Sequence, residues 1–205
     1  MGILPKPCLA LITNSAKYGE IDLDLIDSAV TGGVDIIQLR EPKFTAQKIV
    51  KIGNLIKEIT QNRALFFLNG NPKLANKIKA DGVHLPERKL YLLASDIPRG
   101  LIIGRSIHSK KTAIEAKKAG SDLLIAGSIF KTDSHPGTNP SGLKLIEIIS
   151  KSVGMPILGI GGITVNNVGS VIKAGADGVA VISSIWNNGK PEIAAYLLKN
   201  TMMGN

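Results

Sequence analysis

Cysteine is almost absent: Cys8 is the only one, and it lies inside an apolar run. A lone cysteine cannot close a disulfide within the chain. A disulfide-stapled scaffold is therefore excluded, and a reducing compartment, the cytoplasm, is the expected setting. Aromatic residues are scarce at 4%, against 44% apolar residues in all, so the core has to be built from Ile, Leu, Val and Ala. Such a core suits a parallel sheet whose strands are buried on both faces. Long hydrophobic runs are missing too. No stretch approaches the roughly 20 residues that span a bilayer, and Met1 to Pro7 hold no apolar signal-like region. No membrane partner is expected. Acids are outnumbered, leaving a formal charge of +9. A basic excess can serve nucleic acid. Here the lysines are scattered over helical stretches, as in Lys48, Lys51 and Lys57, or Lys110, Lys111, Lys117 and Lys118, with no aromatic residues between them to stack bases. They read as solvated helix faces that attract anionic metabolites at most, and no nucleic-acid partner is expected.

What is present is one repeating grammar. A chain of 205 residues favours one domain, here 1–205. Short apolar runs at 8–13, 34–39, 64–68, 82–85, 101–104, 123–126, 156–159 and 178–182 predict strands. Amphipathic segments at 22–30, 45–60, 72–79, 88–94, 110–119, 142–150, 164–174 and 191–200 predict helices. Eight strands, each followed by a helix, predict a single (β/α)8 TIM barrel of the α/β class. Asp35, Asp81, Asp122 and Asp177 each stand between a helix end and the next apolar run. They read as turn residues at the bottom of the barrel rather than as a metal site.

In such a barrel the chemistry sits where strands end. After strand two come Gln38 and Arg40, which share inward parity, and Lys43. Arg40 can fork onto a phosphate and Lys43 can add a point charge. Asn69 follows strand three, Arg105 and Ser106 follow strand five, and Ser128 to Thr132 follow strand six. Gly161 and Gly162 follow strand seven and lead into a helix, and Ser183 and Ser184 follow strand eight. Glycines let backbone N–H groups approach a phosphate, and barrels often build phosphate sites from these last two loops. The expectation is a rim that binds a phosphorylated small molecule.

Five segments carry a resemblance: Gln38-Leu39-Arg40-Glu41, Ala80 to Leu85, Ile103 to Ser106, Ile160 to Ile163, and Gly175 to Ser183. Together they resemble the thiamine-phosphate synthase/TenI superfamily over nearly the whole chain. The resemblance implies a (β/α)8 barrel in thiamin biosynthesis whose small-molecule partner is a phosphorylated thiazole. It implies phosphate and thiazole contacts from Gly161, Gly162, Ser183, Ser184, Thr132 and Ser134. It implies a pyrophosphate rim of Gln38, Arg40, Lys43, Asn69 and Ser106. The oligomeric state is left open, a homo-oligomer included.

Two departures separate the branches. In the synthases, an Asn-Asp after strand three and a Gly-Gln-x-Asp after strand four supply aspartates for the magnesium that holds the pyrimidine pyrophosphate. Here Gly70 replaces the first aspartate and Lys89 the second. No metal site is therefore expected, and no cofactor, with magnesium only in the synthase alternative. The Asn69-Gly70 and Leu85-Pro86 pairs resemble TenI, the thiazole tautomerase branch, so a tautomerase is the first expectation. The alternatives are a thiamine-phosphate synthase (a diphosphorylase) and a non-catalytic phosphate-binding or regulatory protein. A tautomerase moves a proton and needs an acid/base near neutral pH. The family histidine after strand six is replaced by Ser128, a poor base. His135 in the same loop is the replacement expected, with Thr132 and Ser134 beside it. His84 and His108 read as structural.

Overall fold

The computed structural model describes residues 4–132, 137 and 139–204. Eight parallel strands close into a barrel in sequential order, with the last pairing back onto the first. They are β1 (Cys8–Ile12), β2 (Ile36–Leu39), β3 (Leu65–Asn69), β4 (Gly82–Leu85), β5 (Ile102–Ile107), β6 (Leu123–Gly127), β7 (Ile157–Ile160) and β8 (Gly178–Val181). The helices are α1 (Ser15–Tyr18), α2 (Leu23–Thr31), α3 (Ala46–Thr60), α4 (Pro72–Lys77), α5 (Lys110–Lys118), α6 (Leu143–Val153), α7 (Val165–Lys173), α8 (Ser183–Trp186) and α9 (Pro191–Met203). This is the (β/α)8 barrel that the alternating grammar predicts. Among the described residues no helix is long and apolar enough to cross a membrane.

Alternation along the strands sorts the apolar side chains into two layers. Cys8, Ala10, Ile12, Ile36, Phe67, Leu123, Ile125, Leu158 and Ala180 form one cluster, the barrel interior, together with Leu4. Their strand neighbours, among them Leu9, Leu11, Ile37, Leu39, Leu68 and Leu124, join the larger cluster with the helices. Phe67 fills space that Gly82 yields, since a Cβ at Gly82 would lie 2.5 Å from its ring. Burial, reinforced by the nearby Asp35 carboxylate, pushes the Cys8 thiol up to about 12. That thiol is inert at physiological pH.

One predicted helix does not form. Residues 88–94 carry a helical pattern, but β4 is followed only by two short 3₁₀ turns, Glu87–Lys89 and Ala94–Asp96. The reason is Arg105. Its guanidinium takes the carbonyls of Lys89, at 2.8 Å, and of Leu92. These contacts hold the segment in its short turns against its helical pattern.

The four aspartates act at the opposite end of the barrel. Each stands just before an even-numbered strand and holds one residue of the preceding odd strand at two points. Its carboxylate accepts the N–H of Leu9, Phe66, Ile103 or Ile157 at 2.7–2.9 Å. Its own N–H donates to that residue's carbonyl. These carboxylates hold strands, and among the described residues no group of three His, Cys, Asp or Glu is placed to hold a metal ion. Asp35, Asp81 and Asp177 also pair with Lys199, Lys57 and Lys6. Asp122 binds Ile103 with no lysine paired to it among the described residues, so it isolates the hydrogen bond. Asp122→Ala strands the Ile103 N–H and should cost about 1–3 kcal/mol in urea unfolding. Asp122→Asn keeps a side-chain oxygen and should lose clearly less. Equal losses for the two variants would reject this role.

Candidate active site

The strands' carboxyl ends surround one cavity of about 670 Å³. Ile12, Ile125, Ile160 and Ala180 give it an apolar floor. Polar groups ring the mouth: Gln38, Arg40, Asn69, His84, Glu87, Arg88, Ser106 and His108 from β2 to β5, and Ser128, Thr132, Gly161, Gly162 and Ser183 from β6 to β8.

The β2 side is built by parity. Ile36, Gln38 and Arg40 alternate, so Gln38 points inward and is buried, and Arg40 follows it at the rim. The backbone N–H of Arg40 donates to the Thr13 hydroxyl at 3.0 Å. That hydroxyl donates to the buried Glu41 carboxylate at 2.6 Å, which also accepts from Ser15. This clamp fixes the start of the β2 loop. Lys43 is exposed and does not line the cavity.

Strand β5 is longer than the sequence suggests. It runs to Ile107, which places Arg105 and Ser106 within the strand and not after it. Alternation then sends Ser106 into the cavity and Arg105 outward. Arg105 is fully buried among carbonyls of the β4–β5 segment and is no rim donor. Ser106 lies 2.7 Å from Nε2 of His84, which points inward from β4. Burial, with Arg40 and Arg105 adding repulsion, lowers the His84 pKa to about 3, so the imidazole is neutral. His84 packs as expected, but it also lines the cavity. His108 pairs through Nδ1 with Glu87 at 2.8 Å, and its N–H donates to the same oxygen at 2.8 Å.

Across the mouth, Gly161 and Gly162 have φ of +105° and +63°, in the left-handed half that favours glycine. A Cβ on Gly161 would stand 2.8 Å from Cβ of Ser128, and one on Gly162 would stand 2.3 Å from the Lys131 carbonyl. Only glycine lets the β6 and β7 loops close on each other here. Ser183 lines the cavity and opens α8, which the sequence reads as plain loop. Ser184 does not line it. Its hydroxyl donates to the Ile163 carbonyl and ties the β7 and β8 loops together. Asn139 and Ser141 also line the cavity, unforeseen by the sequence. Ser134 and His135 lie outside the described residues.

A model of the family described as thiamine monophosphate synthase matches residues 9–185. The chain belongs to that family. Within the thiamine monophosphate synthase family, the thiamine-phosphate synthase of Haloquadratum walsbyi is 36% identical over 190 residues, covering 90% of this chain and 85% of that protein. The thiamine-phosphate synthase of Pyrococcus furiosus is 37% identical over 187 residues, covering 90% and 89%. The solved thiamine phosphate pyrophosphorylase from Pyrococcus furiosus superposes with a TM-score of 0.83 at 32% identity, covering 96% of each chain. These relatives overturn the tautomerase expectation. Two missing aspartates pointed away from the synthases, yet the rest of the chain matches proteins of that name, and the missing histidine had already left the tautomerase without its acid/base.

The magnesium implied by the family finds no ligand set here. At Gly70 the side-chain direction opens onto empty space with φ at +95°. The Lys89 ammonium donates to the Gly70 carbonyl at 2.7 Å, so a cation already stands between the two replaced positions. Among the described residues Glu87 is the carboxylate that lines the cavity, and it is engaged by His108. Magnesium needs a near-octahedral set of oxygens, commonly with one or two carboxylates. The described residues do not fit that demand.

Proposed function

We propose that this chain is a thiamine-phosphate synthase, joining a pyrimidine pyrophosphate to a thiazole phosphate with release of pyrophosphate. One observation carries the reading: a single cavity bears anion-binding groups on two sides of its mouth. Gly161, Gly162, Ser183 and Thr132 suit the thiazole phosphate, through backbone N–H groups and hydroxyls. Gln38, Arg40, Asn69 and Ser106 suit the pyrophosphate, with Arg40 as the fork. The relatives named thiamine-phosphate synthase support the coupling of two anionic substrates over an isomerisation of one.

The bond changes also suit these residues. The bond from the pyrimidine methylene carbon to pyrophosphate oxygen breaks, and the electron pair leaves with the pyrophosphate. The thiazole ring nitrogen, which carries no proton, gives its lone pair to that carbon. No proton has to move, so Ser128 in place of a histidine is no obstacle. The chain's task is to hold two anions in register and to stabilise charge on the leaving group. His84, kept neutral by burial, adds a hydrogen-bonding wall without adding charge.

The test is a two-substrate assay that follows thiamine phosphate and released pyrophosphate, run in parallel with the thiazole carboxylate phosphate of the tautomerase reaction. Product from the pair and none from the carboxylate is expected. Turnover of the carboxylate alone, or of neither, would overturn the reading.

A further inference from the structure

The two positions at which this chain departs from the synthases' acidic pattern are in contact with each other. Gly70 closes β3, and its carbonyl accepts from Nζ of Lys89 at 2.7 Å. Lys89 is held from behind as well. Its own carbonyl accepts from NH1 of Arg105 at 2.8 Å, and a second guanidinium nitrogen holds the Leu92 carbonyl. Arg105 is fully buried. Among the described residues it is paired with carbonyls and with no carboxylate, and its Nε has no hydrogen-bond partner.

A buried guanidinium without an acid nearby is expensive. Its positive charge is left without a carboxylate, and a poorly screening interior lets it act on neighbours such as His84. Arg88 and Arg40 line that same side of the cavity. Asn69, next to Gly70, lines it too; the half-buried Lys89 neighbours the lining residue Arg88 along the chain but is not itself part of the lining. An ammonium has three N–H donors, and one of them is committed to Gly70.

We propose that Lys89, docked on the Gly70 carbonyl and fixed by Arg105, takes the place of a protein-held metal ion, so that the diphosphate of the substrate is bound by fixed side-chain cations alone. The proposal rests on the coupling reading above for the identity of the diphosphate. It accounts for both replacements at once. Losing two aspartates removes two negative charges that would repel a diphosphate without a metal between them. Gaining a lysine supplies a point charge where that metal would have neutralised the leaving group. A Cβ at position 70 would meet nothing within 4 Å, so what glycine contributes here is the absence of a carboxylate.

The experiment is calorimetric titration of the whole protein with inorganic pyrophosphate, in excess chelator and again in saturating magnesium. The expected result is a wild-type affinity that differs by less than about threefold between the buffers. Lys89→Met should weaken binding about tenfold or more in chelator, and Lys89→Arg should recover most of it. The pair Gly70→Asp with Lys89→Asp should make binding magnesium-dependent. Wild-type binding that vanishes in chelator and returns with magnesium would overturn the proposal. So would a folded Lys89→Met protein, checked by circular dichroism, that binds like wild type. Running the two-substrate assay in the same buffers separates the two readings. Product only with magnesium keeps the synthase and sinks the lysine. Metal-free pyrophosphate binding without product in either buffer keeps the lysine and sinks the synthase.

Discussion

Arg40→Ala should lower turnover of the two-substrate reaction about 10²–10³-fold, the range seen when one preorganised donor to developing charge is removed. Negative charge gathers on the pyrophosphate as its bond to carbon stretches, so the loss should fall on kcat as well as on kcat/KM for the pyrimidine substrate. KM for the thiazole phosphate should change little, because that phosphate belongs to the glycine loop across the mouth. Arg40→Lys should recover part of the rate, since it keeps the charge and loses the two-pronged geometry. Steady-state kinetics for each substrate check this. A kcat within about threefold of wild type in the alanine variant would remove Arg40 from the reaction. The Thr13–Glu41 clamp under the Arg40 backbone makes a general collapse of the loop an unsatisfactory explanation for a large loss.

The second large effect is on stability in acid. His84 has a folded pKa of about 3, set first by burial and then by Arg40 and Arg105. In the unfolded chain it should return to about 6.5. Between those values the unfolded state binds a proton that the folded state refuses, so stability falls as pH falls. The slope approaches about 1.4 kcal/mol per pH unit below 6.5 and ends near the folded pKa. Denaturant unfolding from pH 7 to 5 should therefore show wild type losing about 1–2 kcal/mol from this residue. His84→Gln, which can still hydrogen-bond Ser106, should lose correspondingly less over that window. Parallel curves for the two proteins would show that the imidazole does not govern acid stability.

Much of the fold was legible in the sequence because parallel strands buried on both faces read as short aliphatic runs. Their limits came out within a few residues. The misreadings share one cause, namely bonds between residues distant along the chain. Residues 88–94 have a helical pattern, but Arg105 grips the carbonyls of Lys89 and Leu92 and holds the segment in short turns. Arg105 looked like a rim residue because β5 seemed to stop at Gly104, and three further strand residues turned it outward. Ser184 looked like a phosphate ligand, yet its hydroxyl is occupied by Ile163. The pairing of Thr13 with Glu41 gave no signal, since it spans 28 residues. At the site, the rim residues Gln38, Arg40, Asn69 and Ser106 and the glycine pair could be found by parity and position. The branch could not: Gly70 and Lys89 in place of two aspartates pointed to the tautomerase, and the relatives named thiamine-phosphate synthase overturn that expectation.

The aspartate ties at the foot of the barrel divide the molecule in a way its continuous sheet conceals. They join β1 to β2, β3 to β4, β5 to β6 and β7 to β8, and skip the four seams between. Across the β4–β5 seam the foot is held by main-chain bonds such as that from Ile102 to the Asp81 carbonyl. The molecule is thus four clasped quarters. A break in the chain near Pro98 to Gly100 would leave every clasp whole, two in each half, with Arg105 in one half still able to grip the carbonyls of Lys89 and Leu92 in the other. A single cut there would give fragments with a built-in means of finding each other, whereas a cut between β5 and β6 would sever a quarter.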